Sequence, residues 1–112
     1  MARKTYNVII AKRADTMLLM HTEFLAKASP TAARRLISEF KKVKQRLNKD
    51  PFQFPFADDL DVPGIAPRAY RKCLFYGRYK AIFLVENNDI FIDAIIDCRQ
   101  DNTDIFHARN HT

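Results

Sequence analysis

The feature that most constrains the fold is a set of three apolar segments in the C-terminal half, separated by two short breaks. The segments are rich in β-branched and aromatic residues, which favour strands, and they span residues 70–75, 78–86 and 89–98. Gly77 marks the first break and Asn87-Asn88 the second, and both residue types are typical of tight hairpin turns. The sequence therefore predicts an antiparallel meander.

The N-terminal half predicts one strand and one amphipathic helix. Residues 6–11 are rich in β-branched side chains, and the apolar spacing becomes helical from residue 14 to residue 28. The predicted apolar stripe of this helix consists of Met17, Leu18, Met20, Phe24, Leu25 and Ala28.

A second helix is predicted after a clear start signal. Ser29 suits the N-cap, Pro30 suits the first helical position, and Asp50-Pro51 ends the helix. Its predicted apolar stripe consists of Ala33, Leu36, Ile37, Phe40, Val43 and Leu47. Together these elements predict an α+β fold, in which an N-terminal strand and two amphipathic helices pack on one face of an antiparallel sheet of about four strands. We expect one domain over residues 1–112, with its core at about 6–99 and a polar tail at 100–112.

The predicted register of the hairpins sorts the strand residues into two faces. If both turns have two residues, Phe75 faces Arg78, Cys73 faces Lys80, Phe83 faces Ile92, and Arg78 faces Asp97. The apolar face, expected to pack on the helices, then holds Leu74, Tyr79, Ala81, Phe83, Val85, Ile90, Ile92, Ala94 and Ile96. The other face holds Arg71, Cys73, Arg78, Lys80, Asp93, Asp97 and Arg99, mixed with Ile82, Leu84, Phe91 and Ile95. Its charged end has two interpretations: cross-strand pairing, as of Arg78 with Asp97, or a phosphate-binding patch.

The charge balance favours acidic or polyanionic partners. The 112 residues include 19 Lys and Arg against 13 Asp and Glu, for a net charge of +6. The exposed side of the second helix is also basic, which is typical of a solvated face and also of a nucleic-acid footprint. We expect a cytoplasmic protein with no membrane contact, because no export signal and no apolar stretch of about 20 residues is present. The predicted register places Cys73 and Cys98 on opposite faces, so we expect no disulfide between them.

Several segments resemble the RelE/ParE superfamily of bacterial toxins in their order and spacing. The segments are Tyr6-Asn7-Val8-Ile9-Ile10, Lys49-Asp50-Pro51, Tyr70-Arg71-Lys72, Arg78-Tyr79-Lys80-Ala81-Ile82-Phe83 and Ile95-Ile96-Asp97-Cys98-Arg99-Gln100-Asp101. The resemblance implies the toxic half of a type II toxin–antitoxin pair, with a small acidic antitoxin as its partner. One branch of the superfamily enters the ribosome and cuts mRNA, whereas the ParE branch acts on DNA gyrase.

The resemblance also implies site residues, with notable departures. Lys80 matches a basic strand position of the ribonuclease branch, Arg99 its terminal arginine, and Arg71 a further basic position. These residues, with His107 as the candidate acid, form the predicted catalytic set. The predicted nucleic-acid or antitoxin-binding set is Arg68, Arg71, Lys72, Arg78, Lys80 and Arg99. The His-Tyr or Tyr that often follows the terminal arginine is replaced here by Gln100-Asp101-Asn102. A lysine pair of the RelE branch is also absent, and acids at 58, 59 and 61 stand in that loop instead.

Other chemistries find no support in the sequence. Two isolated cysteines do not have zinc-ligand spacing, and two glycines cannot form a phosphate-binding loop or a dinucleotide turn. We therefore expect no metal and no cofactor. From the resemblance we expect a toxin that inhibits translation by ribosome-dependent mRNA cleavage. The alternatives are a gyrase inhibitor without nuclease activity and an inactive family member or basic nucleic-acid-binding module.

Overall fold

The protein is an α+β fold in which two helices cover one face of a four-stranded sheet, as the sequence predicts. The computed structural model describes residues 5–58 and 69–99. The elements are β1 (Asn7–Ile10), α1 (Lys12–Ala28), α2 (Pro30–Lys49), a 3-10 turn (Pro51–Gln53), β2 (Arg71–Phe75), β3 (Tyr79–Glu86) and β4 (Asp89–Asp97). The strand order is β1-β4-β3-β2. The sheet is not antiparallel throughout, because β1 lies beside the last strand and runs parallel to it.

The second helix forms as predicted. The Ser29 hydroxyl accepts a hydrogen bond from the Ala32 N–H at 3.1 Å, and Pro30 occupies the first helical position. Asp50 ends the helix and caps the next turn by accepting from the Phe52 N–H at 3.1 Å. Of the predicted stripe, Ile37 is exposed at 36%, and the buried members are Ala33, Leu36, Phe40, Val43 and Leu47.

The predicted stripe of the first helix is partly wrong. Met20 and Phe24 are 62% and 57% exposed. The buried positions are Ala14, Met17, Leu18 and His21. Apolar spacing alone could not distinguish the predicted stripe from the buried one. The two stripes share residues 17 and 18, and the buried stripe continues through a histidine, which is not an apolar residue. Burial of that histidine is compensated by a 2.7 Å hydrogen bond between Nε2 and the Ile95 carbonyl.

The register differs from the prediction at two points. The Asn87-Asn88 turn is correct, since Glu86 pairs with Asp89. The first turn has one residue more than predicted: Phe75 pairs with Tyr79, and Arg78 lies outside the ladder. A bulge follows in β4, where Phe83 pairs with Ile92 as predicted but Ile82 pairs with Ala94, so that Asp93 is the extra residue.

These two extra residues change which side chains share a face, because a one-residue slip moves a strand's residues to the opposite face. Cys73 pairs with Ala81 rather than Lys80, and Tyr79 rather than Arg78 pairs with Asp97. The helix-facing side therefore contains Arg71, Cys73, Phe75, Ile95 and Asp97. The second face contains Lys72, Leu74, Lys80, Ile82, Ala94 and Ile96. The predicted assignment of Arg71, Cys73, Asp97 and Ile95 to the face with Lys80 is wrong, as is that of Leu74, Ala94 and Ile96 to the helix side.

The core lies between the helices and the sheet. Its largest fully buried side chains include Leu36 and Leu47 from α2 and Tyr79 and Phe83 from β3. The Cys73 side chain is buried and the Cys98 side chain is exposed. Within residues 5–58 and 69–99, neither helix is both long and apolar enough to cross a membrane.

Candidate functional site

The cations that the sequence groups into one patch occupy three separate places in the structure. Arg71 begins β2 on the helix-facing side, at the edge of the sheet. Its guanidinium donates to the Phe54 carbonyl at 2.7 Å and lies 4.0 Å from the ring centroid of Phe56 and 5.3 Å from that of Phe52. The backbone of residues 55–57 pairs with β2 at the same point. Arg71 therefore fastens this aromatic segment to the sheet edge.

Lys72 and Lys80 lie together on the second face of the sheet. Lys80 pairs with Leu74, which is two residues from Lys72 on the same strand, so the two lysines are diagonal neighbours. Both are half-buried, and Leu74 beside them is 58% exposed. This pair of lysines is thus separated from Arg71 by the thickness of the sheet.

The third place is the end of the sheet where the β2–β3 turn meets the end of β4. Arg78 donates to Asp97 through Nε at 3.0 and 3.1 Å and through Nη2 at 2.8 Å. The Asp97 side chain is 1% exposed and the Arg78 side chain 18%. The backbone closes the same corner, since the Cys98 N–H donates to the Arg78 carbonyl at 2.7 Å. The predicted ion pair is therefore present, although the two residues are not directly opposite in the ladder.

The ionised carboxylate of Asp97 binds both the Arg78 side chain and the backbone N–H of Arg99. Burial raises the pKa of Asp97, but the hydrogen bonds from Arg78 and from the Arg99 N–H, the latter at 2.9 Å, more than offset burial and leave the pKa below its usual value. The same hydrogen bond to Asp97 raises the pKa of Arg78. Arg99 itself is exposed immediately after β4. Asp97 thus fixes the backbone from which the Arg99 side chain projects.

Aromatic side chains surround the Arg78–Asp97 pair. Tyr79 stacks on Tyr76 with centroids 6.5 Å apart and contacts His21 at 5.2 Å. Phe24, from α1, lies 5.9 Å from the Arg78 guanidinium. The Tyr79 hydroxyl is buried and has no hydrogen-bond partner among the described residues, and burial raises its pKa. We name this cluster of Arg78, Asp97, Arg99, Tyr76 and Tyr79 the sheet-end cluster.

The sheet-end cluster provides cations and aromatic surface without an evident acid–base pair. Its carboxylate is ionised and occupied by Arg78, and the neighbouring His21 is buried against Ile95. General acid–base catalysis requires a group that can exchange a proton with the substrate. The Asp97 carboxylate and the His21 ring are both buried and engaged in hydrogen bonds, so neither is placed to contact a substrate. Within the part of the chain that the structure describes, no group of three or more potential metal ligands occurs. The arrangement therefore suits binding better than proton transfer.

Two of the predicted site residues lie outside the described residues, namely Arg68 and His107, as do the loop acids at 59 and 61. Sequence reasoning placed Tyr79 on the apolar face without a functional role and assigned no role to His21. A helical step of three or four from Ala14 through Met17 to His21 was the available signal for burial of the histidine. No sequence signal showed that the Tyr79 hydroxyl would lack a hydrogen-bond partner among the described residues.

Comparison with solved structures finds a chain with the same fold. A chain of a structure described as the chromosomal ParDE TA system from P. aeruginosa superposes with a TM-score of 0.64 at 16% sequence identity, over 84% of this chain and 97% of that chain. The protein shares the fold of that chain. The fold resemblance inferred from sequence is therefore confirmed. No family model matches the sequence. A search of curated proteins also finds no match.

Proposed function

We propose that this protein is the toxin of a type II toxin–antitoxin pair and that it acts by binding its target rather than by cutting RNA. The toxin assignment is supported by the shared fold with a ParDE chain and by the segments that resemble the RelE/ParE superfamily. The net charge of +6 suits an acidic antitoxin. The fold shared with a ParDE chain favours DNA gyrase, the target of the ParE branch, as the target of this protein.

The main support for a binding mechanism is that the predicted catalytic cations lie apart from one another in the structure. Stabilising the charge of a reacting phosphate requires several donors aimed at one point. Arg71 and Lys80 instead lie on opposite faces of the sheet, and Arg71 is engaged with Phe54 and Phe56. The described residues of the predicted set therefore do not converge on a single phosphate.

A ribosome-dependent endoribonuclease is the second candidate, because Lys72 and Lys80 are neighbours on one face. The ribosome would hold the RNA in position, and positioning alone can contribute several kcal/mol. In that mechanism the two lysines would contact the RNA backbone, and removing either would weaken cleavage.

The first experiment tests the toxin assignment. The protein is expressed alone in bacteria from a tightly controlled promoter, and then together with the acidic reading frame expected beside its gene. We expect growth arrest in the first case and normal growth in the second. Normal growth with soluble protein verified in the cells would contradict an active toxin.

The second experiment separates the two mechanisms. Purified protein is added to a gyrase supercoiling assay and, in parallel, to a translation extract in which mRNA ends are mapped. We expect inhibition of supercoiling with intact mRNA, and we expect Arg99→Ala to weaken inhibition more than Arg34→Ala, a matched change on the exposed side of α2. New mRNA ends that depend on Lys80, with normal supercoiling, would refute the binding mechanism in favour of the ribonuclease.

A further inference from the structure

The outer edge of β1 presents backbone groups that have no partner among the described residues. The Asn7 N–H donates to the Asn88 carbonyl at 2.8 Å and the Ala11 N–H to the Ile92 carbonyl at 2.9 Å, so odd-numbered residues face β4. Val8 and Ile10 therefore direct their N–H and C=O groups away from the sheet. Among the described residues none bonds to these groups. Such an edge is a template for another strand.

One residue of α2 already forms a hydrogen bond to this edge, as the backbone of a neighbouring strand would. The Asn48 side chain donates from Nδ2 to the Tyr6 carbonyl at 2.6 Å, and Tyr6 has the same outward orientation as Val8. This contact fixes the end of α2 against the start of β1. Beyond this contact, as far as Ile10, no other described residue bonds to the outer edge.

A groove of about 740 Å³ runs between this edge and α2. Its lining residues are Thr5 and Val8 on one side and Lys41, Lys44, Gln45, Asn48 and Lys49 on the other. The lining includes three lysines and no acid, so the groove combines an open strand edge with a concentration of positive charge.

We propose that the groove binds an acidic extended segment of a partner protein, which adds a fifth strand to the sheet at β1. Side chains alternate along a strand. Those on the helix side would meet Lys41, Lys44 and Lys49, and those on the other side would meet Ile9, which is 41% exposed. The segment would thus alternate acidic and apolar residues. A polypeptide fits better than a nucleic acid because an extended backbone supplies N–H donors and C=O acceptors at the same repeat as this strand edge.

The identity of the partner rests on the proposed function, since an acidic antitoxin is the natural source of such a segment. The docking geometry itself does not depend on toxicity. A test with a synthetic peptide therefore separates the two: peptide binding without growth arrest would refute the toxin assignment alone, and growth arrest without peptide binding would refute this site alone.

The probe is a fluorescein-labelled ten-residue peptide of alternating Glu and Val, and its binding to the full-length protein is measured by fluorescence anisotropy. We expect saturable binding that weakens as salt rises. Replacing three groove lysines in the variant Lys41→Gln, Lys44→Gln, Lys49→Gln should weaken binding by about tenfold, because each exposed ion pair contributes a few-fold. The matched control Lys27→Gln, Arg34→Gln, Arg35→Gln removes the same charge outside the groove, and we expect a change of less than about threefold.

Two further probes test strand addition itself. Alternate residues of a paired strand direct their N–H groups toward β1, so N-methylation of one alternate set should abolish binding while methylation of the other set should be tolerated. Equal tolerance of both sets would overturn strand addition. Equal binding of a ten-nucleotide uridine RNA, displaced by the peptide, would overturn the peptide assignment and identify a phosphate-binding groove. Equal losses of peptide affinity in the groove variant and its control would refute the groove as the binding site, because only the net charge would then matter.

Discussion

The Asp97→Asn substitution gives the sharpest test of how the sheet-end cluster is held together. Asp97 accepts three hydrogen bonds from Arg78 and one from the Arg99 N–H, and its side chain is 1% exposed. Asparagine has nearly the same shape but carries no charge and offers an amide donor toward the guanidinium. The substitution therefore leaves Arg78 without its counter-charge while changing little of the packing.

The size of the effect follows from the exposure of the two partners. Removing one member of a fully buried ion pair costs about 3–5 kcal/mol, because the other charge remains desolvated and unpaired. The Arg78 side chain keeps 18% exposure, so water can partly solvate it and the expected loss is smaller. We expect the free energy of unfolding to fall by about 2–3 kcal/mol, less than complete burial would give.

The measurement is urea unfolding followed by circular dichroism, at several pH values. Because the pKa of Asp97 is lower in the folded state than its usual value, its ionised form contributes stability above the unfolded-state pKa of about 4. That contribution is lost as the pH falls through the folded-state pKa. The difference between wild type and Asp97→Asn should therefore be full near neutrality and shrink in acid.

The control is Asp93→Asn, which lies on the same strand. Asp93 is 40% exposed and its ion pair with Arg13 is long, at 4.0 Å, so we expect a loss of no more than about 0.5 kcal/mol. A loss from Asp97→Asn as small as that of the control, or a difference from wild type that does not change with pH, would refute the role assigned to the Arg78–Asp97 pair.

Three further predictions concern single side chains. Arg71→Lys keeps the charge but loses the flat stack on Phe56, so we expect about 1–2 kcal/mol less stability by urea unfolding; an unchanged midpoint would mean that charge alone matters. Tyr79→Phe removes a buried hydroxyl without a partner among the described residues and should stabilise the fold by about 1 kcal/mol, whereas a clear loss would reveal a partner for that hydroxyl. A thiol reagent should modify Cys98 in the native protein and Cys73 only after unfolding, because Cys73 is buried and its burial raises the pKa of the thiol; equal rates would contradict this burial.

The elements of this protein follow from local sequence signals. Ser29 and Pro30 place the start of α2, and the hydroxyl of Ser29 makes the capping bond that its residue type predicts. Asn87 adopts the left-handed conformation, with φ of 55°, that a tight turn requires and that asparagine tolerates. Such signals act within a few residues, so the sequence alone reveals them. The α+β class and the covering of one sheet face by helices followed from the same signals.

The register, and with it the candidate site, was decided by the tertiary structure. One extra residue at Arg78 and one at Asp93 are compatible with the same apolar alternation, so no local pattern distinguishes the observed pairing from the predicted one. The observed pairing buries Cys73 and Phe75 against the helices and leaves Leu74 exposed. The same slip separates Arg71 from Lys80. Packing of the whole sheet on α1 and α2 selects between registers because side chains alternate with a period of two, and a shift of one residue exchanges every core residue for an outward one.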